Sequence, residues 1–180
     1  KIKNPVDHPI IKPSINSLAA TYDVANDPRY EGLATAMSHL TGEKINRFTH
    51  IHQNTQDLVK KVKLLRLLGQ KTGTCFQRCV GMDALNTLSS VTYEMDQKLQ
   101  TQFYRRFTEF LKHVQKDDLV CCGAMTDPKG NRSLGPSQQA DPDLYLRIVE
   151  KRNDGIVVRG SKVHQTGSVN SHEVIVMPTR

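Results

Sequence analysis

Cys75 and Cys79 stand four residues apart in the run "GTCFQRCVGMDAL". Read as one helix, positions i and i+4 project from the same face, so the two thiols could coordinate one metal centre or flank one iron-sulfur cluster. A structural zinc site would prefer C-x-x-C on a turn with a second ligand pair nearby. His50 and His52 are available for that, but their alternation reads as an extended segment. A disulfide-exchange pair would prefer C-x-x-C at a helix N-terminus. The structural alternative is that both thiols are apolar fillers, since free cysteine is among the most buried residue types.

Two further stretches have side chains suited to a ligand. In "AMTDPKGNRS", Ala124 to Ser133, a strand end passes into a loop carrying Lys129, Gly130 and Arg132. Backbone N–H groups around a glycine, with two cations, can cradle a pyrophosphate, and the hydroxyls of Thr126 and Ser133 can add hydrogen bonds. The same composition also makes an ordinary surface turn, and the G-x-G-x-x-G dinucleotide fingerprint is absent. In "VHQTGSVNSHE", Val163 to Glu173, turn chemistry accounts for Gly167, Ser168, Asn170 and Ser171. It does not account for His164-Gln165-Thr166 at a strand end, where the edge of a ligand could be read.

The elements that must position these residues change character along the chain. Pro5, Pro9, Pro13 and Pro28 make the start an extended arm with one short helix at residues 15–24. A weak helical stretch is expected over residues 30–40, stopped by Thr41-Gly42. Thr55 is then an N-cap, with Asp57 in the first turn, for an amphipathic helix whose stripe is Leu58, Val62 and Leu65 and whose stop is Gly69. A second long helix runs from Cys75 through Phe76, Val80, Leu85, Leu88, Val91 and Met95, with Gly81 and Ala84 letting a neighbour approach closely. Phe103, Phe107, Phe110, Leu111 and Val114 mark a third helix, ended by Lys116-Asp117-Asp118.

Beyond Asp118 the pattern becomes β: "LVCCGAM" is a short apolar run, Asn153-Asp154-Gly155 sits between alternating strands as a hairpin signal, and "HEVIVMP" supplies one more strand. The expected class is α+β. A helical part over residues 1–118 carries the cysteine pair, and the opening strands of an antiparallel β domain follow over residues 119–180. Lys1 in place of Met, and an apolar strand-like run ending at Arg180, lead to the expectation of a piece of a longer chain.

The 180 residues are 37% hydrophobic and 24% charged, an ordinary globular balance, and no run approaches the roughly 20 apolar residues that cross a bilayer. No signal or transit peptide is visible, so the expected compartment is the cytoplasm, with no membrane partner. The net charge of +7 suits an anionic partner, but the dense group Lys60, Lys61, Lys63 and Arg66 reads as a solvated helix face. Aromatic content of 6% and the absence of nucleic-acid motifs argue against nucleic acid. Four cysteines, two of them the neighbours Cys121 and Cys122, do not make a disulfide scaffold.

In order, "GQKTGTCFQRCVGMDAL", "GAMTDPKGNRS" and "ADPDLYLRIVEKRNDGIVVRGSKVHQTGSVNSHEVIVMPT" resemble the N-terminal part of the 4-hydroxybutyryl-CoA dehydratase/vinylacetyl-CoA delta-isomerase family. That family is related to the two-component 4-hydroxyphenylacetate 3-hydroxylases and shares the acyl-CoA dehydrogenase architecture. The resemblance implies that Cys75 and Cys79 are two of the four protein ligands of a 4Fe-4S cluster. The remaining ligands, one His and one Cys, are expected beyond Arg180, because none of His50, His52, His164 or His172 matches the third ligand.

It further implies FAD bound by the loop Met125, Thr126, Asp127, Pro128, Lys129, Gly130, Asn131 and Arg132, and by His164, Gln165, Thr166 and Gly167. Lys129 and Arg132 would neutralise the pyrophosphate, and Thr166, the one catalytic residue implied within these 180, would present its hydroxyl to the flavin ring. Asn131 departs from the family's pattern, where Asp is expected.

The implied reaction is dehydration of 4-hydroxybutyryl-CoA to crotonyl-CoA. FAD transiently takes one electron from the α-deprotonated thioester, which acidifies the β position, an iron acts as Lewis acid on the departing oxygen, and the electron returns. The implied partners are an acyl-CoA substrate and three further copies in a homotetramer. A flavin-dependent aromatic hydroxylase of the same superfamily is the rival reading, against which the cysteine pair argues. A non-catalytic fragment is the other.

Overall fold

The computed structural model describes residues 2–177. Five helices, α1 (Lys12–Asn26), α2 (Glu31–Ala34), α3 (Thr55–Thr72), α4 (Cys79–Leu99) and α5 (Phe103–Lys116), accompany six short strands. The strands are β1 (Thr35–Met37), β2 (Lys44–Asn46), β3 (Cys121–Ala124), β4 (Arg147–Arg152), β5 (Gly155–Arg159) and β6 (Glu173–Val176). They form three two-stranded sheets, β1 with β2, β3 with β6, and β4 with β5. The mixture of separate helices and small sheets is an α+β arrangement.

Several boundaries differ from the sequence expectation, each for a local reason. The first helix is longer than residues 15–24 because Pro13 sits in its opening turn, where a missing N–H costs nothing. Residues 30–40 are not one helix: α2 ends at Ala34, and β1 pairs antiparallel with β2, Ala36 opposite Ile45, around a turn containing Gly42 at φ 72°. Asn54, not Thr55, caps α3, its side chain accepting from the Asp57 N–H at 3.2 Å. Gly69 stays inside that helix, and Gly73, at φ 62°, ends it in the left-handed conformation.

The buried stripe of α3 is also not the expected one. Leu64 and Leu68 are almost fully buried, while Leu58 and Val62 are exposed. The sequence "DLVKKVKLLRLL" is apolar on more than one face, and the face used is the one that meets α1 and α2.

Two cores result. Val24, Ala34, Phe48, Leu64, Leu68, Phe76 and Met82 form one; Ile51, Leu85, Phe107, Leu111, Val114 and Cys121 form the other. Helix α4 joins them, giving Met82 to the first and Leu85, three residues on, to the second. The return into α5 is fixed by the Asp96 carboxylate, which accepts from the Thr101 hydroxyl at 2.6 Å and from the N–H groups of Phe103 and Tyr104 at 2.8 and 3.0 Å. One side chain of α4 thus satisfies donors that α5 would otherwise leave free.

Gly81 lies where α4 crosses β3, and an added Cβ there would overlap the carbonyl of Cys121. Close approach of a neighbour at this glycine is as expected from sequence. The strand β3 pairs with β6 in parallel, Cys121 opposite Glu173 and Ala124 opposite Val176, which corrects the expectation of a wholly antiparallel sheet. The connection from 125 to 172, containing the β4–β5 hairpin, is long enough for the crossover a parallel pair requires. His172 clasps the start of this pair: its N–H donates to the Val120 carbonyl and its Nδ1 accepts from the Val120 N–H, both at 3.0 Å.

Candidate functional site

Cys75 and Cys79 do not share a helical face. Helix α4 begins at Cys79, and Cys75 lies in the irregular turn between Gly73 and the helix. The turn is held from beneath. Phe76 is buried against Phe48, with ring centroids 5.8 Å apart. Gln77, at φ 67°, donates through Nε2 to the Ser14 carbonyl at 2.9 Å and accepts at Oε1 from Asn170 at 2.8 Å. The Ser17 hydroxyl donates to the Cys75 carbonyl at 3.1 Å.

Arg78 points away from the thiols. Its buried guanidinium stacks over Tyr22 and Phe48 and pairs with Asp118 at 2.6 Å. The strain of a non-glycine residue at positive φ is therefore met by a network that reaches α1 and the residues before β6. Cys75 is exposed and Cys79 half-buried. Burial pushes the Cys79 thiol above its ordinary range and nearby Cys75 adds to the rise, while the N–H groups of Val80 and Cys79 at the start of α4 oppose it.

The two polar loops converge on the same place. A pocket of about 200 Å³ is lined by Cys75, Gln77, Cys79 and Val80 on one side, and by Met125, Thr126, His164, Gln165, Thr166 and Gly167 on the other. Cys122 and Gly123 of β3 complete it. The loops are tied by the Val163 N–H donating to the Thr126 carbonyl at 2.9 Å, and by Lys162, which pairs with Asp127 at 2.7 Å and donates to the Met125 carbonyl at 3.3 Å. His164 takes φ 60°.

The remainder of the first loop lines an adjoining pocket of about 250 Å³, formed by Asp127, Pro128, Lys129, Gly130, Arg132 and Tyr145. Asn131 lines neither pocket. Its N–H donates to Gln139 Oε1 at 2.9 Å, and its side-chain oxygen accepts from Ser133. Gln139 is buried, and its Nε2 reaches the carbonyls of Asn131, Leu134 and Gly135, so one amide holds the loop in shape. Among the described residues no hydrogen bond occupies the N–H of Lys129, Gly130 or Arg132.

These features fit a diphosphate: two exposed cations and three free backbone donors. The thiols fit one side of an iron-sulfur cluster in donor type. They supply two ligands, and among the described residues no group of three or more His, Cys, Asp or Glu side chains is placed to hold a metal. His50 and His52 belong elsewhere. His50 is buried with Nε2 3.1 Å from Asp57, off the hydrogen-bonding direction, and lines a cleft of about 440 Å³ together with Arg47 and Lys60.

Sequence reasoning missed Gln77, Cys122, Gln139, Tyr145 and Lys162. Gln77 sits inside the quoted cysteine motif, and Lys162 is a cation two residues before the polar run, so both carried a local signal. Gln139 acts locally but through a turn whose shape its sequence does not announce, and Tyr145 reaches the loop only through the fold. Among the described residues no helix is long and apolar enough to cross a membrane.

The chain is 65% identical over 179 residues to the 4-hydroxybutyryl-CoA dehydratase/vinylacetyl-CoA-Delta-isomerase of Clostridium aminobutyricum, covering 99% of this chain and 36% of that protein. It is 26% identical over 179 residues to the 4-hydroxyphenylacetate 3-monooxygenase oxygenase component of Thermus thermophilus, again covering 99% and 36%. Among solved structures, an oxygen-tolerant archaeal 4-hydroxybutyryl-CoA dehydratase from N. maritimus superposes with a TM-score of 0.94 at 58% identity, covering 99% of this chain and 35% of that one. A mutant of HpaB complexed with FAD shares the fold, with a TM-score of 0.75 at 23% identity and coverage of 99% and 36%. The chain spans about a third of the length of these relatives. The pattern of the family described as 4-hydroxyphenylacetate 3-hydroxylase N terminal matches residues 1–180 from end to end, and the chain belongs to that family.

Proposed function

We propose that these residues are the N-terminal part of a cytoplasmic, homotetrameric enzyme that dehydrates 4-hydroxybutyryl-CoA to crotonyl-CoA and isomerises vinylacetyl-CoA, using FAD and a 4Fe-4S cluster. Residues 1–118 form its helical part and residues 119–180 open its middle β domain, in an acyl-CoA dehydrogenase-like architecture. The observation that carries this reading is the single pocket shared by Cys75, Cys79, Met125, Thr126 and His164 to Gly167. A flavin hydroxylase needs the two loops but has no use for two thiols facing them, so the pair favours the dehydratase.

When bound, the flavin supplies reversible one-electron chemistry and the cluster a Lewis-acidic iron, which together make an unactivated β proton removable and a poor leaving group able to depart. This chain's own residues hold and orient. Cys75 and Cys79, as thiolates, take two of the cluster's four ligand positions, and the other two come from outside residues 1–180. Cys79, whose thiol pKa is held above its ordinary range by burial, would bind iron as the thiolate, the form a metal ligand takes. Lys129 and Arg132 neutralise the flavin's diphosphate, with free N–H groups between them. Thr166, exposed at the pocket wall, donates its hydroxyl to the flavin ring.

The test uses the full-length protein. Cys75→Ala and Cys79→Ala are each expected to lower iron and sulfide per subunit and to abolish dehydration. Arg132→Ala is expected to weaken FAD binding by roughly one to two decades, the size of a lost charge-assisted contact. Thr166→Val should retain flavin and shift its visible spectrum. Unchanged iron and sulfide in both cysteine variants would return the thiols to the role of apolar fillers.

A further inference from the structure

Tyr145, on the approach to β4, has no role assigned from the sequence, yet its side chain lines the pocket together with Lys129, Gly130 and Arg132. Its hydroxyl rests against the Gly130 backbone, so that a Cβ at position 130 would overlap it. The ring is half-buried, and among the described residues the hydroxyl makes no hydrogen bond. Its backbone is fixed on both sides. Tyr145 bridges to Ser161, and its carbonyl lies so close to Gly160, at φ 124°, that no side chain fits there. The phenol is thus a rigidly mounted donor at the mouth of a turn whose own N–H groups are free.

We propose that the Tyr145 hydroxyl donates a hydrogen bond to the diphosphate of the bound flavin dinucleotide, alongside Lys129 and Arg132. The inference rests on the flavin reading given above and adds a direction to it. The loop runs from Met125 and Thr126 in the thiol-lined pocket to Lys129 and Arg132 beside Tyr145. The flavin ring therefore occupies the first pocket and the diphosphate the second, with the Lys162–Asp127 pair at the boundary. A phenol suits this position because it donates without adding charge, while its ring supports the glycine turn from below.

The experiment is titration of the full-length protein, stripped of flavin, with FAD and with riboflavin, which has the same ring and no phosphate. Tyr145→Phe keeps the ring against Gly130 and removes only the hydroxyl. It is expected to weaken FAD about tenfold and to leave riboflavin unchanged. If the wild type prefers FAD, Arg132→Ala loses the preference and Tyr145→Phe keeps it, the Tyr145 assignment is overturned while the flavin site stands. If Tyr145→Phe weakens both ligands equally, its role is packing, and the assignment is again overturned. If the wild type binds FAD no more tightly than riboflavin, the diphosphate subsite and Tyr145 fall together.

Discussion

Asp57 shows how much a single half-buried carboxylate does away from the chemistry. Its side chain is 13% exposed and lies 3.1 Å from Arg47, 3.1 Å from His50 Nε2 and 3.0 Å from the Gln53 N–H. Burial pushes its pKa up, but the Gln53 N–H, neighbouring His50 and the Arg47 guanidinium outweigh burial and hold it at about 2. An unfolded Asp titrates at about 3.9, so the folded carboxyl is depressed. Its stabilisation is fully present above about pH 4 and is lost as pH falls through about 2, with a size of about 2 kcal/mol. Asp57→Asn should therefore flatten the dependence of the urea midpoint on pH between about 5 and 2. An acid slope equal to that of the wild type would show that the Arg47 cluster does not couple to folding. The cluster also fixes Arg47, whose guanidinium donates to the carbonyls of Leu33 and Thr35 at 2.6 Å and so holds the end of α2.

At the scale of elements, glycine has opposite meanings at two helical positions. Gly69 lies within α3 with open space where a Cβ would go, whereas the Cβ of a residue at 81 would overlap the Cys121 backbone. Gly69→Ala is expected to stabilise the fold by about 0.5–1 kcal/mol and Gly81→Ala to destabilise it by roughly 1–3 kcal/mol, read from urea midpoints. Equal effects at the two positions would mean that α4 and β3 are free to separate. The periodicities of α4 and α5, the strand at Cys121 and the hairpin around Asn153-Asp154 were legible in the sequence because each rests on local pattern. The register of Cys75 was not: the left-handed turn at Gly73 and the positive φ of Gln77 break a pattern whose residue types still look helical. The parallel pairing of β3 with β6 is likewise invisible locally, since it depends on a connection of nearly fifty residues. The polar loops could be seen as candidates, but their meeting with the thiols could not, because Lys162 and Asn170 act across long sequence separations.

For the whole molecule, the exposed apolar surface is unevenly distributed. Ile148, Ile156, Val158 and Val176 line one open face of about 660 Å³ formed by the β4–β5 hairpin and β6, and Leu58 and Val62 remain exposed on α3. Uncovered strands and apolar helix faces drive association. The 180 residues expressed alone are therefore expected to self-associate and not to convert 4-hydroxybutyryl-CoA to crotonyl-CoA. A monodisperse monomer by light scattering that holds stoichiometric flavin and turns over would place the whole reaction within these residues.

The contact between Gly81 and Cys121 has a consequence at this scale as well. Cys79 lies two residues before that glycine, and Met125 four residues after that cysteine. The separation between Cys79 and the loop that opens at Met125 is thus set by two polypeptide backbones resting on each other, with no side chain between them to lengthen or shorten. It works as a spacer of one thickness, so proteins that keep this contact can differ in the residues lining the pocket but not in the gap between the start of α4 and the end of β3.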